Sequence, residues 1–270
     1  MSGATGATDG IVVAHDGGVL RITIDRPDRK GSLDPVAVRR IVDTLEAAAT
    51  DDALRVVVLT SAGSDFCSGA DWVASNAPQG QKPRPGNLQR RTALQAHRLI
   101  AVLQEIQLPV VCAVRGWAAG LGCQIALAAD FTIAADEARF WLPFTKRGFT
   151  PDSGATWLLP RLVGIARAKE MLLLGRPISG SDAAAWGLVH RAVPEGELDA
   201  ALDELVTELE ASATVALGLT KRCIHAALDG TIGDAMEAEA MALELSSRTA
   251  DFREGLAAFK DRRDPTFEGR

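Results

Sequence analysis

The sequence predicts an α/β layered core followed by a helical C-terminal third. Up to about residue 150, apolar β-branched runs alternate with stretches of helical periodicity. Glycine-spaced turns join strand-like runs to helix starts. Beyond that point nearly every apolar pattern has helical spacing. The chain of 270 residues is long enough for one large domain or a core with a small appendage. The expected organisation is a disordered tail over residues 1–10, a core over 11–195 and a helical region over 196–270.

In chain order, Met1 to Gly10 carries neither a basic region nor an apolar stretch, so it reads as a floppy tail and not as a signal peptide. Residues 11–15 and 19–24 flank Asp16-Gly17-Gly18 and read as a hairpin. Asp34 before Pro35 marks a helix start, and Val38, Ile41, Val42 and Leu45 give that helix one apolar face. Residues 55–60 form a buried type of strand. Residues 74–90 are poor in apolar residues and rich in Pro, Gly, Gln and Arg, the composition of a mobile loop. Leu99, Val102, Leu103 and Ile106 form the next helical face, ahead of a strand at 109–114. Residues 131–134 and 138–141 read as two short strands, and 155–162 as a helix. Leu198, Ala201, Leu202, Leu205 and Leu209 mark a later helix, with others at 234–246 and 252–262.

Lys and Arg number 29 against 35 Asp and Glu, a formal net charge of -6. That balance argues against a nucleic-acid or anionic-membrane surface. No run approaches the length of a membrane-spanning helix. Cys67, Cys112, Cys123 and Cys223 form no C-x-x-C pair and read as free thiols in a reducing cytoplasm. His15, His97, His190 and His225 are scattered, and no metal-ligand cluster is expected.

The most informative stretch runs from Leu108 to Gln124. An apolar run ends at Gly116, a turn follows with Gly120 and Gly122, and Ile125-Ala126-Leu127-Ala128 continues as a helix. Strand, glycine turn and helix start leave backbone N–H groups pointing outward, where they can hold an anion or a developing oxyanion. A second such turn, Phe66-Cys67-Ser68-Gly69-Ala70-Asp71-Trp72, follows the strand at 55–60.

Together the two turns resemble those of the crotonase superfamily, the enoyl-CoA hydratases and isomerases. The resemblance extends from Asp25-Arg26-Pro27 to Asp264-Pro265-Thr266-Phe267. It implies a spiral of ββα units followed by a helical trimerisation region, in a homotrimer or a dimer of trimers. It implies an acyl-CoA thioester substrate, with coenzyme A entering as part of that substrate and no tightly bound cofactor. Each turn would give one N–H to the thioester oxygen, from Ala70 and Leu121. Around them the resemblance places Ser32, Gly69, Asp71, Trp72, Trp117, Gly120, Gln124, Trp141 and Phe144 at the substrate. Arg29 and Lys30 would lie along coenzyme A, or form a solvated face. Phe259 and Arg262, with Arg263, match a pattern that lines the adenine pocket of a neighbouring subunit; a basic helix end complementing its dipole is the plainer alternative.

The chain departs from the hydratases at the two positions that handle water. Gln124 stands where the first glutamate would follow the glycine turn, and Phe144 of Phe140-Trp141-Leu142-Pro143-Phe144 replaces the second. An amide cannot transfer protons at neutral pH, and a phenyl ring has none to give. Asp152, in Phe149-Thr150-Pro151-Asp152-Ser153-Gly154, has two readings. By spacing it is turn and N-cap chemistry for the following helix. By resemblance to the epoxyphenylacetyl-CoA isomerase group it moves protons, with Phe144, Trp141 and Trp117 packed around it. The resulting expectation is an acyl-CoA isomerase acting through an enolate. The alternatives are an aspartate nucleophile, as in a dehalogenase or thioesterase, and a thioester-binding protein with little chemistry.

Overall fold

The computed structural model describes residues 9–71 and 84–270. β1 (Ile11–Asp16) and β2 (Val19–Ile24) pair antiparallel, with Ile11 opposite Ile24 and Asp16 opposite Val19. β2 then lies parallel to β3 (Val56–Ser61), and β4 (Val110–Val114), β6 (Phe131–Ala135) and β9 (Arg191–Val193) extend the sheet in the order β1-β2-β3-β4-β6-β9. All of β4 and the first four residues of β3 are buried, as expected of parallel strands covered on both faces. A small second sheet is formed by β5 (Trp117–Ala119), β7 (Arg139–Trp141) and β8 (Ile178–Ser179).

α1 (Pro35–Ala48) starts as its sequence requires. The Asp34 carboxylate accepts the N–H groups of Val36 and Ala37, and Arg26 pairs with its other oxygen. Burial alone would raise the Asp34 carboxyl; the hydrogen bonds from Ala37 and Arg26 outweigh it and hold the group below the ordinary aspartate value. α2 (Asn87–Thr92) leads through a π turn into α3 (Arg98–Glu105), which packs on α1. The loop expected over 74–90 is therefore helical from Asn87 onward, and residues 74–83 lie outside the described residues. α4 (Leu121–Ala128) is buried along its whole length. α5 (Ala155–Lys169) runs well past residue 162, breaking its helical angles at Gly164.

After residue 150 the chain is less purely helical than its pattern suggests. β8 and β9 are two and three residues long, too short to show an alternation, and α6 (Gly180–Ala185) lies between them. α7 (Leu198–Glu210) packs on β3, β4 and β6 through Leu198, Leu202, Leu205 and Val206, so the helical region begins as a cover for the sheet. α8 (Thr214–Ala227) was missed in the sequence; its apolar residues are broken by Gly218, Thr220 and Lys221. α9 (Ile232–Ser246) packs on α8 and buries no residue. α10 (Ala250–Asp261) follows, and the residues after it are held by the core: Arg55 donates to the carbonyls of Ser212 and Phe267, and buried Asp251 accepts the N–H groups of Glu268 and Gly269. Among the described residues no helix is long and apolar enough to cross a membrane.

One ion pair ties α8 to the sheet. Lys221 Nζ lies 2.7 Å from Asp130 Oδ2 and also donates to the carbonyl of Leu103, while Asp130 accepts the N–H of Val110. Burial pushes Asp130 up and Lys221 down toward their neutral forms, and each charge opposes that for the other. Lys221→Met leaves the aspartate buried without its partner. The expected loss is about 3–5 kcal/mol of stability, read as a lowered chemical-denaturation midpoint.

Candidate active site

Two backbone bridges assemble the site from separate segments. Leu33 donates to Gly69 O at 2.9 Å and accepts from Asp71 N–H at 2.8 Å. In such a parallel bridge the residue between, Ala70, turns its own N–H to the other side. Cys67 donates to Trp117 O and accepts from Ala119 N–H, which seats the 66–71 turn against β5. Leu121 is the first residue of α4, so its N–H has no intrahelical acceptor. Gly120, at φ 51 and ψ -119, makes the corner between β5 and α4, and its N–H is taken by Trp141 O. Among the described residues the N–H groups of Ala70 and Leu121 enter no such backbone pairing.

Both residues line one cavity of about 40 Å³. Ser68, Gly69 and Gly120 complete that wall. Phe144, Phe149 and Pro143 add apolar lining, with the two rings edge to face at 5.6 Å. Asp152, Ser153, Ala96 and Arg147 also line it. Asp152 is the cavity's one carboxylate among the described residues.

The helix-cap reading of Asp152 is overturned. Gly154 occupies the N-cap position of α5, no side chain caps that helix, and Ala155 donates to the backbone oxygen of Asp152 at 3.0 Å. The carboxylate is left for other work. Gln124, fully buried on α4, holds the aspartate from behind: its Nε2 donates to Asp152 O and lies 3.4 Å from Asp152 Oδ1. Gln124 is thus placed on Asp152 and not on the cavity wall.

Other expected site residues part from the cavity. Trp117 and Trp141 pair with each other at 5.6 Å, and the Trp141 indole donates to Gly175 O. Strand alternation explains this: Ala118 and Phe140 take the inward positions of β5 and β7, so the two indoles face the opposite side. Ser32 donates to Arg29 O and accepts from Arg26, closing the turn before the Leu33 bridge. The Asp71 carboxylate faces Arg29 at 3.3 Å. Trp72 lies outside the described residues. Phe259 and Arg262 are exposed at the end of α10, Phe259 by 86%. Phe149, Arg147 and Ser153 went unassigned in the sequence, where they stand in turns around Gly148 and Gly154 with no periodicity to mark them.

Two cysteines neighbour the oxyanion turns. Burial pushes the thiols of Cys67 and Cys123 up to about 12, and that of Cys112 higher still. None is ionised at neutral pH.

The sequence model of the family described as enoyl-CoA hydratase/isomerase matches residues 14–270. The chain belongs to that family. A 1,2-epoxyphenylacetyl-CoA isomerase of Escherichia coli K12 is 36% identical over 261 residues, 96% of this chain and 98% of that one. A probable enoyl-CoA hydratase of Rhodobacter capsulatus is also 36% identical, over 94% of this chain and 95% of its own. The crystal structure of an enoyl-CoA hydratase from Bacillus anthracis superposes with a TM-score of 0.89 at 30% identity, covering 97% of this chain and all of that one. Crotonase-type enzymes of this family act on acyl-CoA thioesters, and the fold is the one expected from the sequence.

Gly69 tests the geometry. At φ +106, a Cβ there would sit 2.9 Å from Ala119 O and 3.5 Å from Leu121 N. Gly69→Ala is expected to force the two segments apart and misplace one donor, a change worth about 10²–10³ in rate for oxyanion sites generally. Titration calorimetry with an acyl-CoA thioester should show weakened binding, and melting a lowered midpoint.

Proposed function

We propose that the protein is an acyl-CoA double-bond isomerase in which Asp152 carries the proton. The observation that carries this reading is the position of the Asp152 carboxylate. The side chain caps no helix and lies 3.4 Å from the Gln124 amide, and Asp152 lines the same cavity as Ala70 and Leu121, whose N–H groups enter no backbone pairing among the described residues. With the thioester oxygen at those two donors, the carboxylate takes a proton from the carbon α to the carbonyl. The C–H electron pair moves into a dienolate, and the charge reaches the thioester oxygen, where the two N–H groups stabilise it. Asp152 then returns the same proton to the γ carbon and the double bond has shifted. Reversal of the two steps runs the shift the other way. Phe144 and Phe149 keep water from the carbanion.

Several relatives bear hydratase names, which the residues of this chain argue against. Gln124 and Phe144 cannot ionise, and no second acid or base lines the cavity among the described residues to divide a water with Asp152. Coenzyme A arrives with the substrate in this reading and is not a resident cofactor. The protein is taken to work in the cytoplasm.

Assembly as a trimer, or a dimer of trimers, is part of the same proposal. α9 leaves Ile232, Met236, Met241, Leu243 and Leu245 exposed, and α10 leaves Leu256 and Phe259 exposed. This much uncovered apolar surface on two successive helices suits a subunit interface. There Phe259 and Arg262 would reach a neighbour's coenzyme A.

Asp152→Asn keeps the shape and removes the base. Deuterium uptake from heavy water into an enoyl-CoA should fall by about 10²–10⁴. The melting temperature should barely move, because the carboxylate caps nothing. Full exchange in the variant would remove Asp152 from the mechanism. Crotonyl-CoA should be hydrated far more slowly than the roughly 10–10³ per second of an ordinary enzyme. Analytical ultracentrifugation at micromolar concentration should find a multiple of three subunits; a monomer would overturn the assembly.

A further inference from the structure

Ser153 combines two unfavourable features at one residue. Its φ of 44 lies in the left-handed region. Lys30 and Arg262, the other non-glycine residues with positive φ among those described, are exposed; Ser153 is 2% exposed. Its hydroxyl is buried and has no hydrogen-bond partner. Strain and an orphaned polar atom each cost stability, and their joint presence points to function. Four buried side-chain atoms are unpartnered among the described residues, and two of them adjoin Asp152: Ser153 Oγ, next in the chain, and Oε1 of Gln124, whose amide holds the aspartate.

Ser153 lines the cavity that contains Ala70, Leu121 and Asp152. On the isomerase reading, which this inference deepens, the thioester oxygen lies at the two N–H groups and the acyl carbons pass Asp152. The hydroxyl of Ser153 then meets the acyl chain next to the carbons that exchange protons. We infer that Ser153 is a substrate-specificity residue whose hydroxyl binds a neutral oxygen on the acyl chain (a hydroxyl, keto or ether oxygen at the β or γ carbon), so that oxygenated acyl-CoAs are preferred over plain ones. A carboxylate there would be repelled by Asp152, whereas a neutral oxygen satisfies the hydroxyl without opposing that charge.

The test is a binding measurement on matched saturated thioesters: butyryl-CoA against its β-hydroxy and γ-hydroxy counterparts, by titration calorimetry on the full chain. The wild-type protein should bind one hydroxylated thioester about tenfold more tightly than butyryl-CoA, the worth of one buried hydrogen bond. Ser153→Ala and Ser153→Gly should each abolish that preference. The glycine variant also relieves the left-handed strain, so it should fold at least as well as wild type and guards against a misfolded alanine variant. Equal binding of all three thioesters by wild type overturns the inference, as does a preference that survives both substitutions. Because binding needs no turnover, the result stands apart from the isomerase reading, which fails separately if wild type exchanges no deuterium.

Discussion

Everything distinctive about this site depends on two short backbone bridges, Leu33 to Ala70 and Cys67 to Ala118. A lone orphaned N–H at a helix start binds anions weakly and is common to every helix. Here Ala70 and Leu121, from separate segments of the chain, line one cavity, and neither N–H enters a backbone pairing among the described residues. The bridges remove the freedom each loop would otherwise have, so the donors are in place before any ligand arrives. Burial of α4 along its entire length extends the same rigidity, since its first N–H cannot drift without moving the core.

The rest of the site is an exchange of roles on that unchanged platform. Gln124, where the resemblance expects a hydratase glutamate, donates to the backbone oxygen of Asp152 and lies 3.4 Å from its carboxylate. The second acid position is Phe144, which has become wall. On the proposed reading, a cavity lined by one carboxylate and by neither hydratase glutamate suits the movement of a single proton more than the division of a water molecule. Family membership is plain across nearly the entire chain.

Features decided by nearby residues were legible in the sequence. The hairpin around Gly17 and Gly18, the Asp34 cap and the apolar face of α1 all follow from interactions within a few positions. The two turns before Ala70 and Leu121 were legible because they carry glycines at fixed offsets, and it is the family resemblance of those turns that points to the two N–H groups. What depends on which way a strand faces was not: Trp117 and Trp141 sit beside the site in the chain yet turn away from it, because Ala118 and Phe140 claim the inward positions. The cap reading of Asp152 failed for a related reason. Ser153 and Gly154 both take positive φ, which carries the aspartate away from the helix axis and into the cavity. β8 and β9 stayed hidden because two or three residues define no period.

The protonated state of the cysteines bears on chemical self-preservation. A thioester with a conjugated double bond is an electrophile toward thiolates. Cys67 lies in the 66–71 turn and Cys123 in the first turn of α4, beside the candidate site, where on the proposed reading an ionised sulfur would invite alkylation. Burial pushes both up to about 12, which favours the protonated thiol. The packing that fixes the two turns thereby also keeps the thiols beside them protonated.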